Sequence, residues 1–180
     1  MGEDKKLYGE ERRLSLLTLL KNSPSPITGS ELAAYANVSR QIVVGDITLL
    51  KAKGEPIIAT SQGYLYFSHS PHIPIFEKII ACSHTPGQTE EELLLIVNEG
   101  VTVRDVKIEH PVYGDLTASI MVSNPVEVSQ FMQKIMTTKA AFLSELTGGY
   151  HLHTLSASSE QALARAEEAL NEAGFLIENG

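Results

Sequence analysis

The chain has 180 residues, enough for one large domain or two small ones. Its 43% hydrophobic content with mixed charge is ordinary for a folded protein, and no apolar run approaches the ~20 residues that cross a bilayer. The single Cys82 excludes an internal disulfide. With no signal peptide opening the chain, a cytoplasmic protein is expected. The net charge of -8 argues at first against nucleic acid, but it is unevenly spread. Residues 1–67 hold 8 Lys/Arg and 7 Asp/Glu, whereas residues 68–180 hold 6 and 15. A phosphate backbone would repel the second part and not the first.

The pattern over residues 9–22 predicts a helix with Leu14, Leu17 and Leu20/Lys21 on one face, ending before Ser23-Pro24. Thr28 reads as an N-cap whose capping box closes on Glu31, opening a short helix to Ala36 with Leu32 and Ala33 inward. After the turn at Asn37-Val38, Ser39 caps a longer helix to about Lys53, stopped by Gly54. Ile57–Thr60, the turn Ser61-Gln62-Gly63 and Tyr64–Phe67 then read as strand, turn, strand. The sum is a winged helix-turn-helix over residues 1–67. On the third helix Val43, Ile47 and Leu50 form a packing stripe, and the opposite face carries Gln41, Val44, Gly45, Thr48 and Ala52. That face, with Ser39 at its start and Arg40 on its flank, is the expected contact with double-stranded operator DNA.

Residues 68–74, with two prolines and His69 and His72, read as a linker. Over 75–180 the pattern changes. Strands are expected at Ile75–Ser83, Val101–Glu109, Asp115–Val122 and His151–Ala157, and helices at Glu90–Asn98, Pro125–Lys139 and Ser159–Ala173. The order β-α-β-β-α-β-α describes an α+β sandwich, its helices on one face of a mainly antiparallel sheet.

Chemistry in this half centres on histidine. In a strand, His151 and His153 point to the same face, so two imidazoles can converge on one ion. The pair reads equally as a metal site and as paired surface histidines. His84 and Glu92 are candidates for further ligands. Glu92 also fits a capping box begun by Thr89, and Cys82 could share the face of His84 or be simply buried. Gly148-Gly149 would permit an unusual approach into the strand.

Two resemblances sharpen these alternatives. Ile27–Ala33, continuing through Val38-Ser39-Arg40-Gln41 to Asp46-Ile47 and Leu50, resembles the winged-helix module of biotin-ligase repressors and related bacterial regulators. In that family the position of Gly45 more often holds Arg or Gln. Three later stretches resemble the signatures of the 3H domain. They are Ser83–Pro86 with Glu90–Leu93, Glu109–Leu116, and Gly148–Thr154. Together the two modules resemble the nicotinate-responsive repressors of NAD biosynthesis and niacin uptake, over essentially the whole chain. The resemblance implies one divalent transition metal (nickel, zinc or iron) per chain, held by His84, Glu92, His151 and His153. It also implies nicotinic acid as co-repressor. His110 and Tyr113, in the turn motif Glu-His-Pro-Val-Tyr-Gly, are expected as effector contacts, against a structural role for His110 in the turn. A homodimer is expected, because helix-turn-helix proteins read two half-sites by symmetry.

Two enzyme readings compete. A DNA-tethered metal-dependent hydrolase would use an open metal position and a nearby Glu to activate water, but no spare general base is evident. A biotin-ligase-like bifunctional protein would need more than the ~110 residues after the linker. The working expectation is a repressor and not an enzyme.

Overall fold

The computed structural model of the chain describes residues 9–67 and 75–177. The proposed linker, with His69 and His72, lies outside them. The chain divides into two compact units, Met1–Ser70 and Pro71–Gly180.

In the first unit, α1 (Gly9–Asn22), α2 (Gly29–Ala36) and α3 (Arg40–Ala52) are followed by β1 (Ile57–Thr60) and β2 (Gly63–Tyr66), an antiparallel hairpin. The Thr28–Glu31 capping box is present, and Ser39 caps α3 by accepting from Ile42 N. Asn37 ends α2 in the left-handed conformation, which turns the chain into α3. Leu16, Leu17 and Leu20 pack on Leu32, Ala33, Ala36, Val43, Ile47, Leu50 and Ile57. Leu14, expected inward, is 63% exposed, and Leu16 takes its place. The helix face is rotated because Leu16-Leu17 and Leu20 give a tighter i, i+1, i+4 stripe than Leu14 allows. Ile27 exchanges backbone hydrogen bonds with Tyr64, tying the α1–α2 connection to the wing. Gly63, at φ +140°, makes this possible, since a Cβ there would meet the Ile27 carbonyl at 2.5 Å.

The second unit contains β3 (Phe76–Ser83), α4 (Thr89–Asn98), β4 (Thr102–His110), β5 (Gly114–Val122), α5 (Pro125–Thr138), β6 (Tyr150–Ala157) and α6 (Glu160–Glu172). The four strands form an antiparallel sheet in the order β3-β6-β4-β5. Alternation along β6 sends His151, His153, Leu155 and Ala157 to the buried face and Tyr150 and Leu152 outward. Apolar side chains of α4, α5 and α6 close over the buried face, with Leu93, Ile96, Val128, Ala166 and Leu170 in one core with Val103, Val122 and Leu155. Two short 3-10 helices were not expected: Pro86–Gln88 before α4, where Thr85-Pro86-Gly87 reads as a turn, and Leu143–Thr147 before β6.

Candidate functional site

The sheet register assembles the histidine cluster. Cys82 pairs with His151, Ile80 with His153, and Val106 with His153. His84 lies just past the end of β3, and Glu92 projects from the first turn of α4. Gly149, at φ +102°, passes so close over the His84 carbonyl that a Cβ would collide with it. The expected unusual approach at the glycine pair is therefore real, and it brings the start of β6 against His84. The rings of His84 and His151 meet edge to face at 4.9 Å, and those of His151 and His153 at 4.8 Å.

All three rings point Nε2 at one carboxylate. His84 lies 2.8 Å from Glu92 Oε2, His153 lies 3.3 Å from the same oxygen, and His151 lies 3.1 Å from Oε1. The surface-histidine reading falls, since His151 and His153 are both buried. The capping-box reading of Glu92 falls too. The N-cap of α4 is Gln88, and the box forms one turn earlier, between Thr85 and Gln88. Glu92, 1% exposed, is given to the cluster.

Each Nδ1 is committed elsewhere. His84 donates to Thr85 O (2.8 Å), His151 to Gly149 O (2.7 Å) and His153 to Asp105 O (2.7 Å). A carbonyl can only accept, so Nδ1 carries the proton in each ring. In a neutral ring the Nε2 lone pair then faces the carboxylate, acceptor against acceptor. Either protons or a cation must fill that space. Burial alone pushes the Glu92 carboxyl up, but the facing imidazoles of His153, His151 and His84 outweigh it and hold the group well below the ordinary carboxylate range. Burial draws His84 and His153 down, and the Glu92 carboxylate more than offsets this, raising both. Protonating all three rings would bury three positive charges against one negative. A single divalent cation would take up the facing lone pairs instead, with each ring oriented by a backbone carbonyl behind it. The donor set therefore suits a nitrogen- and oxygen-liganded transition metal.

The sulfur of Cys82 and ligand atoms of Glu92 and His151 lie within 4.8 Å of one another. Burial and the Glu92 carboxylate both push the Cys82 thiol up, which keeps it protonated. Cys82 packs as a small apolar residue beneath the cluster.

The cluster forms one pole of a cavity of about 220 Å³. Its remaining wall is largely apolar and includes Leu93, Ile120, Phe131, Ile135 and Phe142, with Thr89 and Ser144 as the other polar members. Sequence reasoning did not find this wall. Phe131 and Phe142 carry no motif, and Thr89 looked like a cap. His110 and Tyr113, expected as effector contacts, do not line this cavity. They sit at the exposed β4–β5 turn, where His110 Nδ1 accepts from Val112 N and Tyr113 N and the two rings pack at 5.0 Å. The turn itself accounts for His110, which is the structural role weighed against the effector contact.

In the first unit, Gln41, Val44, Gly45 and Thr48 are exposed on α3 away from the buried Val43, Ile47 and Leu50, with Ser39 exposed at the N-cap and Arg40 exposed on the flank. Two of them are partly engaged. Ser39 holds its cap, and Thr48 donates to Val44 O at 2.8 Å. The Arg40 side chain lies close beside Gly29, where a Cβ would meet its Nε at 3.1 Å. Sequence reasoning missed the buried Asp46, which accepts from Arg12 Nε (2.5 Å), Arg12 Nη2 (3.2 Å) and Arg13 Nη1 (3.4 Å) and so locks α3 to α1.

Comparison with known proteins gives both units a family. The 3H domain matches residues 77–179, and a helix-turn-helix (HTH) domain matches residues 12–65. The transcription repressor NadR of Bacillus subtilis (strain 168) is 60% identical over 180 residues, covering 99% of this chain and 100% of its own. The probable transcription repressor NiaR of Thermotoga maritima is 38% identical over 175 residues, covering 97% and 98%. With both modules matched and relatives aligned end to end, the chain belongs to the family of DNA-binding transcription repressors that join a helix-turn-helix to a 3H domain.

Proposed function

We propose that this repressor binds operators of genes for NAD biosynthesis or niacin uptake, and that nicotinic acid is its co-repressor. The effector acts beside a divalent transition metal (nickel, zinc or iron) held by His84, Glu92, His151 and His153. The observation that carries the reading is the set of three Nε2 atoms facing one buried carboxylate, each with its Nδ1 committed to a backbone carbonyl. When bound, the metal supplies a positive centre for a small carboxylate. The surrounding residues do the rest. The backbone carbonyls behind the imidazoles hold the donors in place, and the largely apolar wall offers a space sized for one small ring. A homodimer presents two copies of α3 to the two half-sites of an operator in the cytoplasm.

Nicotinate can change operator affinity only through differential affinity for two arrangements of the dimer. The expected coupling is about 1–3 kcal/mol, a ~5–150-fold tightening of operator binding. Operator must tighten nicotinate binding by the same factor. The test is a titration of labelled operator at fixed salt, with and without saturating nicotinate, in metal-loaded and chelated protein. Nicotinamide, lacking the carboxylate, should act poorly, and chelation should erase the response. Equal operator affinity with and without nicotinate in the metal-loaded protein refutes the reading.

A further inference from the structure

The cavity beside the cluster contains a buried hydroxyl whose hydrogen-bonding capacity is unused. Thr89 is 7% exposed, lines the cavity, and its Oγ1 has no hydrogen-bond partner among the described residues. Buried hydroxyls are nearly always paired, because an unpaired one forfeits its hydration without return. Helix capping does not explain it. Thr89 is the first residue of α4, the N-cap is Gln88, and the capping box belongs to Thr85 and Gln88. Neither does packing, since a valine fills the same space with no polar atom to strand.

We propose that the Thr89 hydroxyl is a specificity-determining contact of the effector cavity. It donates a hydrogen bond to an acceptor in the ring of a small aromatic monocarboxylate whose anionic group lies toward the histidine pole. This rests on the metal-and-nicotinate reading above and adds the residue that distinguishes a pyridine ring from a benzene ring. Three features of the cavity carry it. Its polar groups fall into the His84/Glu92/His151/His153 cluster and the hydroxyls of Thr89 and Ser144. Leu93, Ile120, Phe131 and Phe142 line the same cavity and suit the faces and edge of a flat ring. Thr89 also precedes Glu92 by three residues on α4, so the two side chains are neighbours about 5–6 Å apart at Cβ, on the scale of a six-membered ring. A pyridine nitrogen is an acceptor without a proton, the complement of a free hydroxyl donor.

The experiment is isothermal titration of the full-length, metal-loaded protein with nicotinate and with benzoate, which has the same charge and shape but C–H in place of the ring nitrogen. Wild type should prefer nicotinate by about tenfold, the scale of one buried hydrogen bond. Thr89→Val should erase that preference by weakening nicotinate while leaving benzoate within about twofold. Thr89→Ser, which keeps the hydroxyl, should restore it. Thermal melts of both variants check folding, and the valine variant should melt at or above wild type because it removes an unpaired buried group. Undiminished discrimination in Thr89→Val overturns the proposal and leaves nicotinate binding standing. Loss of bound metal from Thr89→Val overturns it as well, because the hydroxyl would then be serving the metal shell. No nicotinate binding to wild type overturns both this contact and the reading on which it rests.

Discussion

Among the described residues, each unit buries one carboxylate, and the two are buried for opposite reasons. Asp46 in α3 is 3% exposed and accepts from cationic donors, the guanidinium groups of Arg12 and Arg13. Its charge is neutralised and its lone pairs are filled by the protein alone. Glu92 in α4 is as deeply buried, but it faces three nitrogens whose rings have already committed a proton to a backbone carbonyl. Its electrostatic balance is left open. A closed ion-pair network fixes two helices to each other, whereas an open one keeps lone pairs for a proton or a cation. The difference lies in the direction of the hydrogen bonds and not in the depth of burial.

That contrast can be broken experimentally. The largest effect should come from removing two donors of the open site. His151→Ala with His153→Ala should reduce bound transition metal from about one ion per chain to none, by elemental analysis of purified protein, because two donors cannot build a closed site. Full occupancy in that double variant would sink the site. The operator response to nicotinate should vanish with the metal. Next is Asp46→Ala, which removes the buried carboxylate that Arg12 and Arg13 share. Breaking a buried pair costs about 3–5 kcal/mol, and the arginines' partial exposure puts the expected loss near about 3 kcal/mol. Urea unfolding of the full chain should show the same loss with and without chelator, since no metal balances Asp46. A chelator-dependent loss would mean the two carboxylates are not independent.

The open site should also reverse its pH dependence on loading. In metal-free protein His84 and His153 are raised by Glu92, so their contribution to stability is complete below the ordinary imidazole value of 6.5 and is lost as pH rises through their folded values. Glu92 is depressed, so its contribution is present above the ordinary carboxyl value of 4.5 and is lost only as pH falls through its much lower folded value. Between those limits, metal-free protein should melt higher at mildly acidic than at mildly alkaline pH. Metal-loaded protein should do the reverse, because protons compete with the ion for the same Nε2 atoms. Parallel melting curves for the two forms would contradict the shared use of those nitrogens.

Much of this was legible from sequence, and what was not has a common physical cause. The capping box at Thr28–Glu31, the period-2 alternation that aims His151 and His153 together, and the stripe Val43/Ile47/Leu50 are local patterns, and they held. Glu92 was ambiguous because Thr89 and Glu92 have capping-box spacing. Only the single-turn helix Pro86–Gln88, which moves the box to Thr85 and Gln88, releases it for the cluster. Asp46 looked like any helical polar residue, because its partners lie more than 30 positions away in α1. The aromatic wall from Phe131 and Phe142 is likewise long-range. Leu14 failed for a local reason: Leu14 and Leu16 offered competing faces beside Leu17 and Leu20, and burial chose Leu16.

The exposed face of α3, proposed to read DNA, should show smaller effects. Arg40→Ala and Gln41→Ala should each weaken operator binding by about 1–3 kcal/mol at fixed salt while leaving unfolding unchanged, since both side chains are exposed on α3. Unaltered operator affinity in both would move the recognition surface off this helix. The smallest and most instructive change is at Gly45. It sits inside α3, and a Cβ there would meet nothing within 4 Å. No contact within the unit therefore calls for glycine, which costs a helix interior roughly 0.5–1 kcal/mol relative to alanine. Gly45→Ala should raise stability by about that amount. If operator affinity falls as stability rises, the missing side chain serves close approach of the α3 backbone to the duplex, and stability has been exchanged for fit. If affinity is unchanged, the space is free. Gly45→Arg should then add one phosphate contact, steepening the dependence of log affinity on log salt by about one unit without altering which operator is preferred.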